Sequence, residues 1–354
     1  MSHKLRFLEL FAALCAIVVS LGVSGVIDRA TAAPLNIGAS ASMDAYFLIN
    51  DGVIRDDIAV SVGVTTALSG SALSTVEDAA ATNSDGSYVQ VGNPFNDPPT
   101  PFIATEFNET TQPDGDEARG FYYVEQNLTL DDSSRTVFLD RTLAGTAALD
   151  FTDIAISASA SSDFEIGRDL VLTNTSDATA YAFEIATGFD MSLAASADDL
   201  GSQSIAEAVF SLSFITSGYV ALDYLGSSGN SPTIDDSDPG VSVANNCVVG
   251  DSDNNVLLDG VNCQASVSAT GTGAPTDASF ETIRQFFFGV IMAPGSSLRL
   301  SFFQSQNSAT SYIDPSVSEV PLPASALLFL GGLGFFSRIH RNQKPAGERV
   351  ALNP

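Results

Sequence analysis

Apolar residues alternate with small or polar ones through long stretches of this chain, and that period of two constrains the fold more than any other feature. Ile58, Val60, Val62 and Val64 alternate with Ala59, Ser61, Gly63 and Thr65, and Phe210, Leu212 and Phe214 alternate with Ser211 and Ser213. Residues two apart share one face of a strand, so each stretch describes a half-buried β-strand. The same pattern predicts strands at Phe121–Leu130 with Val137–Leu139, at Ile154–Ser159, and at Leu170–Leu172 and Tyr181–Ile185. Asn174-Thr175-Ser176-Asp177 reads as a turn, which makes the last two stretches a hairpin candidate. A second pair, Phe286–Met292 and Leu298–Phe303, is joined by Ala293-Pro294-Gly295-Ser296, a tight-turn sequence. Ser204 and Glu207 have the spacing of a helix capping box, but the alternation right after them favours a strand. The proline-rich run Gly92–Gly120 and the stretch Gly226–Gly240 read as irregular loops. The fold class expected is all-β: an antiparallel β-sandwich ectodomain over residues 33–317, without an internal repeat.

Charge narrows the chemistry. Seven of the 14 basic residues, all arginine, lie between Arg29 and Arg338, against 39 of the 42 acidic ones. A surface that negative repels nucleic acid and anionic lipid and attracts cations. Both histidines (His3, His340) and both lysines (Lys4, Lys344) fall near the termini, and the chain has no tryptophan. The region between therefore lacks an imidazole base and a Lys amine, which excludes Ser-His-Asp, Cys-His and Schiff-base catalysis by this region alone.

The two ends carry the strongest addresses. Lys4 and Arg6 precede the apolar run Leu10–Val26, and Ala30-Thr31-Ala32 supplies a small-x-small cleavage pattern with Ala33 as the first mature residue. Residues 1–32 thus read as an N-terminal signal helix removed by signal peptidase. At the other end, Val320-Pro321-Leu322-Pro323-Ala324 leads into the apolar stretch Ser325–Phe336 and then Arg338, Arg341 and Lys344. The prolines hold the leader extended, and the short span needs flanking residues to cross a bilayer with its basic end in the cytoplasm. Over residues 318–341 this tail resembles the VPLPA-CTERM variant of the PEP-CTERM sorting signals, found in Gram-negative bacteria that encode an exosortase, usually beside exopolysaccharide genes. The resemblance implies a transient inner-membrane anchor through a short C-terminal transmembrane helix, processing at the Val320–Ala324 segment by an exosortase-like enzyme, and delivery to the cell surface or extracellular matrix. Residues 342–354 would form the cytoplasmic tail.

Between the ends, candidate sites are few. Cys247 and Cys263 are the only cysteines of the expected mature region, and in an exported protein they predict a structural disulfide. Inside that loop Asp251, Asp253, Asn255 and Asp259 offer oxygens at alternate positions, as Ca²⁺ prefers, but Val256 stands where the calcium loop needs Gly and Asn262 where it needs Glu. An empty polar turn is the blander reading of the same residues, and of Asp235, Asp236 and Asp238 nearby. No other cofactor is expected. Asp56-Asp57, Asp131-Asp132 and Asp198-Asp199 read as exposed loops rather than hydrolase pairs, and Tyr46, Tyr88, Tyr122, Tyr123 and Tyr219 remain as aromatic platforms for a sugar. The function expected is a non-enzymatic exported surface or matrix protein associated with exopolysaccharide. A carbohydrate-binding module, with or without Ca²⁺, is the alternative, and a carboxylate-based glycoside hydrolase the third.

Overall fold

The computed structural model describes residues 35–49, 58–62, 67–76, 82–85, 89–91, 102–112, 117–131, 136–151, 157–198, 200–250 and 260–313. The expected signal and membrane helices, and all of Ile154–Ile156, lie outside them. Every regular element described is a strand. In chain order these are β1 (Leu35–Ile49), β2 (Ile58–Val62), β3 (Ala67–Val76), β4 (Thr82–Asp85), β5 (Val89–Val91), β6 (Phe102–Thr111), β7 (Glu117–Asp131), β8 (Thr136–Phe151) and β9 (Ser157–Asn174). The rest are β10 (Tyr181–Ala197), β11 (Ser202–Ser217), β12 (Val220–Gly229), β13 (Thr233–Asp235), β14 (Val241–Val249), β15 (Gly260–Thr270), β16 (Thr276–Met292) and β17 (Ser297–Ile313).

All pairings are antiparallel and build two sheets. The ten-stranded sheet runs β12-β16-β10-β1-β8-β7-β6-β4, with β13 beside β16 and β5 beside β6. The seven-stranded sheet runs β14-β15-β11-β17-β9-β2, with β3 beside β9. The inner faces pack together as in a sandwich. β1 shows how the pattern works: Ala39, Ala41, Met43, Ala45, Phe47 and Ile49 are buried, while Ser40, Ser42, Asp44, Tyr46 and Leu48 between them are only half-covered. Phe189, Phe210, Phe286 and Phe302 join the two sheets in the largest cluster. Two smaller clusters, around Tyr122–Phe164 and Phe151–Tyr312, are set apart from it by a polar row along β17 (Gln304, Gln306, Ser308, Thr310), all buried.

The hairpin expectation is corrected, and the second pair of strands behaves in the same way. β9 lies in the smaller sheet and β10 in the larger, and likewise β17 and β16, so each turn is an arch between sheets. Alternation reports that a strand has one buried face, and both sheets of a sandwich satisfy that, so the pattern is silent about partners. The arches are held together by Asn174, whose side chain is fully buried. Its Nδ2 donates to Thr179 O and Met292 O, at 2.9 and 3.1 Å, and its Oδ1 accepts from Ser176 N. Its backbone N–H donates to Ser296 O and its carbonyl accepts from Gly295 N. The expected Pro294–Gly295 turn is present, with Gly295 at φ 70°.

Two loop expectations also need correction. The run Gly92–Gly120 contains β6, whose inner face turns polar at Asn108 and Thr110, both bonded to Ser74 across the sandwich. Gly226–Gly240 contains the end of β12 and all of β13. The stretch after Ser204 is the strand that alternation predicts, β11.

Candidate binding face

The outward-pointing residues of the ten-stranded sheet are where charge collects. Registers across β16, β10, β1, β8 and β7 define three adjacent rows. The central row is Ile283–Asp190–Asp44–Thr142–Glu125. On one side lies Gln285–Gly188–Tyr46–Asp140–Asn127, and on the other Glu281–Ser192–Ser42–Ala144–Tyr123. Five carboxylates, two tyrosines and two carboxamides thus share one flat patch, because Asp44 and Tyr46, Asp140 and Thr142, and Tyr123, Glu125 and Asn127 each stand two apart on their strands.

Directly opposed side chains on neighbouring strands are close enough to interact, and like charges there are unfavourable. Asp44 faces Asp190 in that way. Among the described residues no cation faces these acids. Arg119 is engaged by Glu109 and Glu117 at the far end of β7, and Arg299 by Asp169 on the other sheet. Partial burial is the first cause raising the Asp44 carboxyl; the Thr142 hydroxyl opposes it by donating a hydrogen bond, and Glu125 adds repulsion. Asp140 is pushed up to about 6 by burial, then by Asp44 and Glu125, against a bond from the Arg141 backbone. Asp190 is raised by burial, then by Asp44 and Glu281. Glu125 is held from both sides: Tyr123 Oη donates to its Oε2 at 2.6 Å and Asn127 Nδ2 to its Oε1 at 3.1 Å.

Tyr46 is laid down rather than upright. A Cβ built on Gly188, the residue opposite, would come within 3.0 Å of Tyr46 Cε1 and 3.1 Å of its Oη, so the ring lies over the bare glycine. An aromatic ring flat against a sheet, ringed by carboxylates and carboxamides, can stack on a sugar and accept hydrogen bonds from its hydroxyls. A flat face suits a polymer better than a small molecule, which prefers concave sites. Two small cavities between described residues measure about 20 and 30 Å³, each close to the space of one water.

The sequence-derived sites fare unevenly. Cys247 and Cys263 form the disulfide, at directly opposed positions of β14 and β15. Asp251, Asp253, Asn255 and Asp259, the signal cleavage residues Ala30, Ala32 and Ala33, and the sorting segment Val320–Ala324 all lie outside the described residues. Asp235 braces its own turn, its Oδ1 accepting from Ser237 Oγ, and Asp238 ties that segment to β16, its Oδ2 accepting from Asp277 N. No group of three metal-ligating side chains comes together among the described residues. Of the expected tyrosine platforms, Tyr46 and Tyr123 reach the patch, Tyr122 is buried against Phe164, and Tyr219 is exposed in the β11–β12 arch. Sequence reading missed Asp44, Asp140, Asp190 and Glu125. Their spacing to Tyr46, Thr142 and Tyr123 was visible, but only the register brings the four strands side by side.

No family model matches this chain, and no curated protein matches it. Among solved structures, the structure of infectious bursal disease virus Gx strain shares 12% identity over 86% of this chain and 75% of that one, at a TM-score of 0.10. That likeness is too slight to carry any argument.

Proposed function

We propose that this chain is a non-enzymatic surface or matrix protein, exported by its N-terminal signal and sorted through its VPLPA tail by an exosortase-like enzyme into an exopolysaccharide setting. The terminal motifs support the route, and the Cys247–Cys263 bridge fits a destination where disulfides persist. The observation that carries the role is the flat acidic and tyrosine-bearing patch on the ten-stranded sheet, which has the shape of a contact surface rather than a cleft. Mass spectrometry of the two ends of the native protein tests the route. A chain beginning at Ala33 and ending within Val320–Ala324 is expected, and an intact Met1–Pro354 polypeptide would overturn it.

The carbohydrate-binding reading is favoured by one specific feature, the Tyr46 ring over Gly188. Five carboxylates around it select a neutral or amino-bearing polysaccharide and repel an acidic one. Affinity electrophoresis through gels containing a neutral glucan, a de-N-acetylated aminoglycan or an alginate checks this. Retardation by one of the first two but not the third is expected, lost in Tyr46→Ala. Equal mobility in all gels would sink the reading.

A further inference from the structure

Beside the row that carries Tyr46, the outer face of the ten-stranded sheet turns apolar. The next row is Phe287–Ala186–Leu48–Phe138, on β16, β10, β1 and β8, and each of the four is only half-covered. Leu225, 51% exposed, extends this band at the β12 end, where its side chain lies against the bare Gly289. Neighbouring strands stand about 4.8 Å apart, so the band from Phe287 to Phe138 is about 14 Å long. An exposed apolar strip with a polar rim marks a contact surface.

The rim is acidic on both sides. Towards the Tyr46 row stands Asp140, two residues from Phe138 on β8, with Asp44 and Asp190 one row beyond. On the far side stand Glu184, two residues from Ala186 on β10, and Asp223, opposite Gly289 on β12. Both are exposed, and among the described residues no arginine pairs with either.

The matching occupant is narrow, apolar on the face it lays down and cationic along both edges. Alternate residues of a strand are about 6.7 Å apart, so the band is one side chain wide between its acids. An amphipathic helix, about 10–12 Å across, would press the flanks of its apolar stripe onto carboxylates. A pyranose ring is flat and slim: its C–H face stacks on aromatic and aliphatic side chains while its substituents project from its edges. Successive rings of a β-1,4-linked chain are turned over, so an amine at C2 points to one edge and then to the other.

We propose that this band holds a β-1,4-linked aminoglycan with free amines, its rings on Phe287, Leu48 and Phe138 and its ammonium groups directed in turn to Asp140 and to Glu184 and Asp223. The inference rests on the carbohydrate-binding reading above and narrows it, from a neutral or amino-bearing polymer to a cationic one, and from a platform at Tyr46 to a path crossing four strands. The acids further out, Asp44 and Asp190, add attraction for the same charge.

Titration calorimetry of the purified full-length protein with three β-1,4-linked hexasaccharides tests this. Hexamers of glucosamine, N-acetylglucosamine and glucose share a backbone and differ only at C2. At a pH just above the value of about 6 that Asp140 reaches, the glucosamine hexamer should bind tighter than the other two by about tenfold, the sum of several weak exposed ion pairs. That advantage should shrink with added salt. Glu184→Gln with Asp140→Asn should erase it and leave the glucose hexamer unaffected, whereas Phe287→Ala should weaken all three. Should Phe287→Ala misfold by circular dichroism, Leu225→Ser at an exposed position takes its place. A β-1,6-linked glucosamine oligomer, whose amines do not alternate in this way, should bind less tightly than the β-1,4-linked one. Equal affinity for the three hexamers overturns the proposal and leaves the carbohydrate reading standing, while failure to bind any of them removes both. Tighter binding of a Leu- and Lys-bearing amphipathic peptide, lost in Glu184→Gln with Asp140→Asn, also overturns it and gives the band to a protein partner.

Discussion

Arg141 is the residue on which the interior turns. It is fully buried, and burial, together with repulsion from another cation, Arg168, pushes its guanidinium down to about 9. It stays charged at neutral pH and is held by Gln126 Oε1, which accepts from Nε and Nη2, and by Ile166 O, which accepts from Nη1. Its Cζ lies 4.9 Å from the centre of the Phe302 ring on the opposite sheet. Arg141→Ala leaves both acceptors unpaired and a void beside Phe302, and is expected to cost about 3–5 kcal/mol in urea unfolding. Arg141→Met with Gln126→Leu is expected to recover part of that, since the Gln126 acceptor leaves along with its donors and the volume is kept, while Ile166 O still loses its partner. Nothing in the local sequence announced this residue. Val137 to Leu139 signals a strand, but Asp140 and Arg141 after it are two charged residues with nothing to show which of them turns inward.

At the level of elements, small residues set how closely the sheets approach. Gly120 on β7 faces inward, and a Cβ there would come within 2.3 Å of Ser161 O and 2.8 Å of Leu73 O, backbone atoms of two strands in the opposite sheet. Backbone cannot swing aside as a side chain can, so Gly120→Ala is expected to destabilise by about 1–3 kcal/mol. Gly38→Ala, whose methyl would meet Ser196 Oγ at 3.4 Å, should be tolerated. Chemical denaturation of both variants checks the contrast, and equal stabilities would show that the sheets can part at no cost. Element lengths were legible only in part. Alternation located β17 as far as Phe303, but the strand runs on to Ile313 through Gln304, Gln306, Ser308 and Thr310. Those inward polar residues erase the apolar half of the pattern while keeping the strand. β6 was hidden by the same cause and by the prolines before it.

Across the molecule, the partial burial of acids, and then their crowding, couples stability to pH. The Asp140 carboxyl has an ordinary value of 3.8 and sits at about 6 in the folded chain. A group raised on folding contributes stability that is complete below about pH 4 and lost as pH climbs through about 6. Asp44, Asp190 and Asp277 are raised in the same direction, and Asp163 also reaches about 6, through burial first and then Glu165. Scanning calorimetry should therefore give a higher melting temperature at pH 5 than at pH 7.5. Asp140→Asn should raise the value at pH 7.5 by about 2 °C and flatten the profile. The groups facing Asp140 are Asp44, Glu125, Tyr46 and Asn127, and a wild-type melting temperature that climbs from pH 5 to 7.5 would show that burial of these carboxyls beside one another is not what governs it.

From residue order alone came the all-β class, the period of the strands, the disulfide and the excess of acid, because each depends on neighbours along the chain or on composition. Strand partners, the arches tied at Asn174, the buried Arg141 and the gathering of Asp44, Asp140, Asp190 and Glu125 came only with tertiary structure. In a sandwich both sheets bury one face of every strand, so the alternation that makes a strand is the same whichever sheet receives it. Which residues meet is settled by register and packing between segments far apart in the chain, as when Ser308 Oγ reaches Gly145 O, 163 positions away.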